Sequence, residues 1–398
     1  MIIEDQAAFK LITRVALISL VELQMIPCLN HKSLRHRASN LMGSHILSFV
    51  SLILGLSGLS GCGEERDQPQ RSVHPPLCGE RTQEELACLR PWLPFLDHVH
   101  AGAQWTVTHP QDIPVKVGYT RDLTSAQPSD WYENSTLQFS RLGWVKIFVI
   151  ADAYVSPIDP DVTCEALTHE HIYEVVDGYD PRADAPGSLA ISSEDTRILS
   201  WGSEITDLSF GPETSPAFQD PERALGEASG GVFDVMSLGR GGEVTYAFDP
   251  PVANGPGPDF AIFENSFSDL FLELARVEVS TDGDIFVPLP HAYLGDSPVG
   301  GFGEHDPSQI FGLAGKYRAG YGTPFDLSTL AWHVETQRGV LDLSAIHFIR
   351  IIDIIGDGRE RDSFDQIIYD PYPTEGSAGF DLDALGVLHT SLTAPCPR

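Results

Sequence analysis

Residues 270–289 read LFLELARVEVSTDGDIFVPL. They divide into two strand-like runs, Leu272–Ser280 and Ile285–Leu289, around the break Thr281-Asp-Gly-Asp. An Asp-Gly step between two such runs is a hairpin signal, because glycine accepts the positive φ that tight turns need. The same rhythm continues outward from this hairpin. Gly242–Phe248, Asp259–Glu264, Ile346–Ile355 and Phe380–His389 are further short strand candidates, parted by Gly, Pro, Asn and Asp. Ile346–Ile355 is apolar on both faces apart from Arg350 and Asp353, which predicts a strand central in its sheet. Many short strands with few helices predict a mainly β protein. Its C-terminal part, 177–392, is expected to be an antiparallel β-sandwich or jelly roll, followed by a tail at 393–398.

Upstream, residues 77–176 read as a smaller β-rich N-terminal region. Trp105-Thr-Val-Thr, Val115-Lys-Val-Gly-Tyr and Trp144-Val-Lys-Ile-Phe-Val-Ile are rich in β-branched and aromatic residues. His169-Glu170-His171 brings no third metal ligand with it, and its histidines alternate as on a solvated strand edge. Residues 177–222, rich in Pro, Gly, Ser and Asp, are expected to be irregular loops.

The beginning of the chain carries an export signal. Lys32, Arg35 and Arg37 precede an apolar run, Ile46–Leu56, and then Leu59-Ser-Gly-Cys. Charged, apolar and small residues in that order mark a secretory signal peptide, here 1–61. The run is short for a membrane span, which needs about 20 residues. A second apolar stretch, Phe9–Leu23, precedes the basic cluster, so translation is expected to begin at Met25 or Met42. The L-S-G-C pattern resembles the bacterial lipobox. That resemblance implies acylation of Cys62, a lipidated tether over 62–76 and anchoring to a membrane, since each buried CH2 contributes about 0.8 kcal/mol. Gly63 in place of an inner-membrane retention aspartate points to the outer membrane and the cell surface.

The whole chain has 25 Lys+Arg against 56 Asp+Glu, a formal charge of -31. Residues 1–61 hold five of the basic and three of the acidic residues, leaving 20 against 53 and a charge of -33 beyond them. Such a surface repels phosphate backbones and argues against a nucleic-acid partner, while it suits divalent cations and solubility. Past Cys62, the cysteines are Cys78, Cys88, Cys164 and Cys396, an even number in an oxidising compartment. Of the three pairings four cysteines allow, the short interval favours Cys78–Cys88, and elimination then gives Cys164–Cys396. No CxxC is present, which speaks against a zinc or redox site.

Several blocks share a wider likeness. They are Ser237-Leu-Gly-Arg-Gly-Gly-Glu-Val, Asn254-Gly-Pro-Gly-Pro-Asp-Phe-Ala-Ile-Phe-Glu-Asn and Glu273-Leu-Ala-Arg-Val-Glu-Val-Ser-Thr-Asp-Gly. Further on come Ala314-Gly-Lys-Tyr-Arg-Ala-Gly-Tyr-Gly-Thr-Pro-Phe-Asp-Leu, Ile368-Tyr-Asp-Pro-Tyr-Pro-Thr and Gly379-Phe-Asp-Leu-Asp-Ala-Leu-Gly-Val. In this order they resemble a family of secreted bacterial cell-surface proteins, often lipoproteins. The resemblance spans about 180–390 and implies a compact β-sandwich at the cell surface.

Two groups of residues are candidates for function. Tyr317, Tyr321 and Phe325 sit among glycines in a long loop, where aromatic faces can stack on sugar C–H surfaces; the alternative is that they turn inward as a small loop core. Asp381 and Asp383 fall on one side of a strand, about 7 Å apart. Glu264 and Asn265 end another strand that follows Asp259. Oxygen donors at strand ends suit Ca2+, which takes 6–8 oxygens. The expected calcium ligands are therefore Asp381, Asp383, Glu264 and Asn265, with Asp259. Glu273, in the apolar stretch Leu270–Ala275, is expected to pair internally with Arg276, Arg350 or Lys316. No G-x-S-x-G, H-E-x-x-H or P-loop occurs. The expected function is a non-catalytic, lipid-anchored extracellular module that binds a glycan or another surface component. A structural adhesion protein is the alternative, and a polysaccharide hydrolase, with two carboxylates about 5–9.5 Å apart, is the third reading.

Overall fold

The computed structural model describes residues 86–91, 98–101, 104–132 and 135–392. Cys62 and its lipobox, the starts at Met25 and Met42, the tether, Cys78, Cys396 and the tail lie outside the described residues.

The first sheet has five strands: His98–His100 (β1), Val115–Thr120 (β2), Asp130–Tyr132 (β3), Gly143–Ala151 (β4) and Leu167–Val176 (β5). Their order is β1-β5-β4-β2-β3. Every pair is antiparallel except β1 with β5. In β4, Val145, Ile147, Val149 and Ala151 are buried at a spacing of two, as the alternation of a strand requires. His169 on β5 is not solvated: it is buried with its ring 5.4 Å from that of Trp332.

Cys88 is bonded to Cys164, with Cα atoms 5.5 Å apart and a sequence separation of 76. This replaces the expected Cys78–Cys88 and Cys164–Cys396 pairs. The short interval was misleading because the path of the chain, not sequence distance, decides which thiols meet. Residues 86–91 run back past the ribbon formed by Tyr154–Val155 and Thr163–Cys164. The Ser156 hydroxyl donates to Ala87 O at 2.7 Å, and His109 Nε2 lies 2.9 Å from Leu89 O.

The second region is a β-sandwich. One sheet contains Ile191–Ser192 (β6), Tyr321–Phe325 (β14), Phe260–Glu264 (β11), Asp381–Val387 (β16) and Ser200–Trp201 (β7) in that order, and Met236–Ser237 (β9) also pairs with β16. The other sheet runs Ile205–Ser209 (β8), Glu243–Val252 (β10), Ile346–Asp353 (β15), Ala275–Ser280 (β12) and Val287–Pro288 (β13). All these pairings are antiparallel. Ile346–Asp353 is central, as its two apolar faces predict. Residues 177–222, expected to be loops, supply three short strands. Helix is confined, among the described residues, to short turns such as Val334–Gln337.

The core lies between the sheets. Val277 and Val279 of β12, Val244 and Tyr246 of β10 and Ile349 and Ile351 of β15 join Phe260, Ile262, Leu382, Leu385 and Val387 in one buried cluster. Full burial of each such side chain contributes about 1.5–3 kcal/mol. The far face of β11 and β16 is covered as well, with Ala261, Phe263 and Ala384 packed under Ile191, Ile198 and Trp201. That double cover explains why both strands are apolar throughout.

The hairpin read from Thr281-Asp-Gly-Asp forms, although pairing is limited to Glu278 with Pro288 and Val279 with Val287. Gly283 has φ 83°, and Asp282 Oδ1 accepts the amides of Asp284 and Ile285 at 2.9 and 3.0 Å. Because neighbouring strands are antiparallel, the end of β11 adjoins the start of β16, and the end of β15 adjoins the start of β12. Glu264, Asp381, Asp353 and Glu273 therefore all fall at one end of the sandwich.

Candidate functional site

Carboxylates from both sheets meet at that end. Glu264 is the last residue of β11, and its Oε2 accepts the Ser266 amide at 2.9 Å. Asp381 opens β16; the Ser237 hydroxyl donates to its Oδ1, and Asn265 Nδ2 donates to its Oδ2 at 3.2 Å. Asp353 closes β15 and accepts the Gly241 and Phe380 amides, both at 2.7 Å. Asp370 accepts the Leu274 amide at 3.1 Å and lies 3.4 Å from His305 Nε2. Glu273 stands two residues before β12. All five are buried.

Glu273 differs from the other four. It is only 5% exposed, and no hydrogen bond or ion pair holds its carboxylate among the described residues. The expected internal partners are engaged elsewhere: Arg276 and Arg350 both reach Glu278, at 3.7 Å, and Lys316 Nζ stands 2.5 Å from Asp180. Burial, then the charges of Asp381, Glu264 and Asp353, push the Glu273 carboxyl well above the ordinary carboxylate range. Burial and the charge of Asp381 do the same to Glu264, and burial with the charges of Asp353 and Glu273 to Asp370. Burial moves Asp353 and Asp381 up to about 7. Low-dielectric surroundings favour the neutral acid, and like charges add to the effect.

Of the expected calcium ligands, the fold brings Glu264, Asn265 and Asp381 together. Asp259 belongs elsewhere. It precedes β11, whereas Glu264 ends it, about 16 Å away along the strand. Its oxygens accept the Gly255 and Leu327 amides, both at 2.7 Å, and His389 Nδ1 lies 2.9 Å from Oδ1. Asp383 is diverted too. Phe263 faces Ala384 but Glu264 faces Leu382, so Asp383 is the extra residue of a bulge and the alternation that would set it beside Asp381 is broken. Its two oxygens accept the Ser229 and Gly230 amides at 2.9 and 3.0 Å. Glu273, Asp353 and Asp370 complete the cluster. An acid closing an otherwise apolar strand was the available signal for Asp353. Among the described residues, no three Asp, Glu, His or Cys side chains stand close enough to share one ion as they are placed.

The expected aromatic platform folds inward. Tyr317 is 2% exposed and donates its hydroxyl to Asp180, and Phe325 is buried and stacked on Phe260 with ring centres 5.1 Å apart. Tyr321 remains partly exposed and donates to Asp184 at 2.7 Å. Glycine-rich flanks let the loop close down on its own rings, and a Lys316–Asp180 pair beneath gives the Tyr317 hydroxyl an acceptor.

A different set of rings faces outward. Phe267 is 70% and Phe302 94% exposed. Phe267 and Phe271 stack at 5.2 Å with planes 19° apart, and Phe271 and Phe302 follow at 6.5 Å and 23°. Phe267 and Phe271 belong to the segment that leaves Glu264 and returns at Glu273. Within it, the Ser266 hydroxyl donates to Ser268 O at 2.7 Å and to Phe271 O, and the His305 amide donates to Leu270 O at 2.7 Å. A lone Phe among Ser, Asp or Gly, as in Asn265-Ser-Phe-Ser-Asp and Gly300-Gly-Phe-Gly, was the signal in the sequence.

No family model and no curated protein matches the chain. Among solved structures, a two-domain protein of unknown function from Bacteroides fragilis is 9% identical over 75% of this chain and 94% of that one, with a TM-score of 0.22. A structure of carbohydrate-binding modules from the β-sandwich superfamily is also 9% identical, over 74% and 88%, with a TM-score of 0.13. Neither superposition is close enough to establish descent or function. The described residues contain no helix long and apolar enough to cross a membrane.

Proposed function

We propose that this protein is a non-catalytic, lipid-anchored binding module of the bacterial cell surface whose ligand face is the row Phe267, Phe271 and Phe302. The observation that carries this reading is a run of three near-parallel rings in which Phe267 and Phe302 are exposed and Phe271, half-buried, lies against both. Phenyl groups left in water cost solvation free energy, and contiguous apolar patches mark interaction sites. The spacing of the rings suits an extended ligand that offers repeated flat C–H faces, as a polysaccharide does. The anchor is the acylated thiol of Cys62 and the address is the outer membrane. The acids nearby are buried beneath the loop, which favours a supporting role over hydrolysis.

A glycan array and sedimentation with insoluble polysaccharides test the reading, using the full chain and the double variant Phe267→Ala/Phe302→Ala. Binding by the parent, weakened about tenfold or more in the variant, is expected, since base-to-aromatic stacking losses of 1–3 kcal/mol set the comparable scale. Retention of glycan binding by the variant, or no glycan bound by the parent, overturns it.

A further inference from the structure

We infer that Asp180 and Lys316 condense into an amide between Cγ and Nζ, a covalent staple that fastens the chain leaving the first sheet to the sandwich. The inference concerns a modification of the protein itself and stands apart from its ligand.

The pair is placed as reactants are. Lys316 Nζ stands 2.5 Å from Asp180 Oδ1, and the two side chains are 2% and 12% exposed. That contact is the one hydrogen bond of the ammonium among the described residues, although it has three protons to give. The second carboxylate oxygen is engaged differently. Asp180 Oδ2 accepts the Tyr317 hydroxyl and, at 3.2 Å, the Leu189 amide. One oxygen therefore faces an amine and the other faces two neutral donors. Lys146 and Glu170 supply the contrast. They are also 2.5 Å apart, but the glutamate is 40% exposed and Lys146 Nζ donates to Ser125 O at 3.0 Å, so water and a carbonyl share the charge. Burial draws the Lys316 ammonium below the ordinary lysine range against the opposing charge of Asp180, which favours the nucleophilic free amine.

The chemistry balances without an oxidant or a second reactant. One proton crosses from Nζ to Oδ1, giving a neutral amine beside a carboxylic acid. The nitrogen lone pair adds to Cγ, which lies one carbon–oxygen bond beyond Oδ1, and such an attack needs about 3–3.5 Å. Charge gathers on Oδ2, where the Tyr317 hydroxyl and the Leu189 amide form an oxyanion hole. A second proton passes from the nitrogen to Oδ1, the Cγ–Oδ1 bond breaks and water leaves. One C–N bond forms, one C–O bond breaks, and two buried charges disappear together, which offsets the cost of condensation. Asp180 lies four residues beyond β5 and Lys316 five before β14, with a sequence separation of 136. An amide there closes that span, so a pull along the chain is carried past residues 181–315 and does not unravel them.

The test is a fragment map. Full-length protein that melts cooperatively is denatured, reduced, alkylated and cut with trypsin, and the fragments are sequenced by tandem mass spectrometry. Expected is a branched fragment joining the peptides of Asp180 and Lys316, lighter than their sum by one water, with no cut after Lys316 and ordinary cutting after Lys146. A cyclic imide, which also loses water, cannot form at Asp180 because Pro181 has no N–H to close it. Lys316→Arg keeps the cation and should yield separate peptides of full mass. Tyr317→Phe removes one donor from Oδ2 and should slow the appearance of the branched fragment in newly made protein about 100-fold, the scale of losing one such donor. Recovery of Lys316 in an unbranched peptide from the folded parent overturns the inference, and that map needs no variant to fold. A link that forms as fast in Tyr317→Phe overturns the oxyanion hole and the mechanism with it.

Discussion

Glu264 and Glu273 reach one buried cluster from opposite sheets, and the eight residues between them carry the two stacked rings Phe267 and Phe271. Loop and acids therefore form one mechanical unit. Glu273→Gln is expected to raise the melting temperature at pH 8 relative to the parent, because a neutral amide has no like-charge neighbours to resist. A melting temperature lowered by the substitution shows that the carboxylate has a partner.

The pH dependence has a definite sign. Asp353 and Asp381 rest at about 7 in the fold, against about 3.9 in the unfolded chain. A group raised on folding contributes stability that is fully present below the unfolded value and is lost as pH climbs through the folded one. Denaturant unfolding should show this contribution declining between about pH 4 and pH 7. Glu273→Gln should flatten the decline, and identical slopes for parent and variant would count against the coupling.

Cys88→Ser/Cys164→Ser is expected to cost about 2–5 kcal/mol, as native disulfides closing long loops do. Urea unfolding of parent and variant measures it. The loss should fall where residues 86–91 pack, on His109, Gln111, the Tyr154–Cys164 ribbon and Gln337, and should spare the sandwich strands in hydrogen exchange.

Asp180→Ala leaves the Lys316 ammonium, 2% exposed, without its carboxylate, and is expected to cost about 3–5 kcal/mol. Tyr317→Phe removes a single bond to the same carboxylate and should cost about 1–2 kcal/mol. Equal costs in thermal unfolding would show that the pair matters less than the ring's hydroxyl.

Gly315→Ala probes the support of Glu273 from its backbone side. Gly315 has φ 83°, and a Cβ there would stand 1.9 Å from Glu273 O. The expected loss is about 2–4 kcal/mol, from strain and a displaced chain together. A Gly315→Ala protein as stable as the parent would mean that this backbone has room to yield.

Much of the sandwich was legible because strands declare themselves locally. The expected runs Asp259–Glu264 and Ile346–Ile355 match Phe260–Glu264 and Ile346–Asp353 within two residues at either end. The site was legible in part. Glu264, Asn265 and Asp381 could be named from their strand ends, but the departure of Asp383 depends on a bulge, and bulges leave no mark in a single strand's alternation. Glu273 was recognised as buried, yet its lack of a cation depends on where Arg276, Arg350 and Lys316 point. The inward turn of Tyr317 and the exposure of Phe267 were not decided by the sequence for a related reason: a ring among small residues can close inward or stand out, and a distant acceptor such as Asp180 holds Tyr317 in.

Asp259 pins the opposite end of β11 with two amide bonds and an imidazole contact, and just before it the turn at Pro256–Gly257 stands clear of the body. Gly257 has φ 81° and open space around it. That turn is a handle: a dye or a tether to a surface placed there sits at the other end of β11 from Phe267, so the molecule can be held and watched with that ring left free.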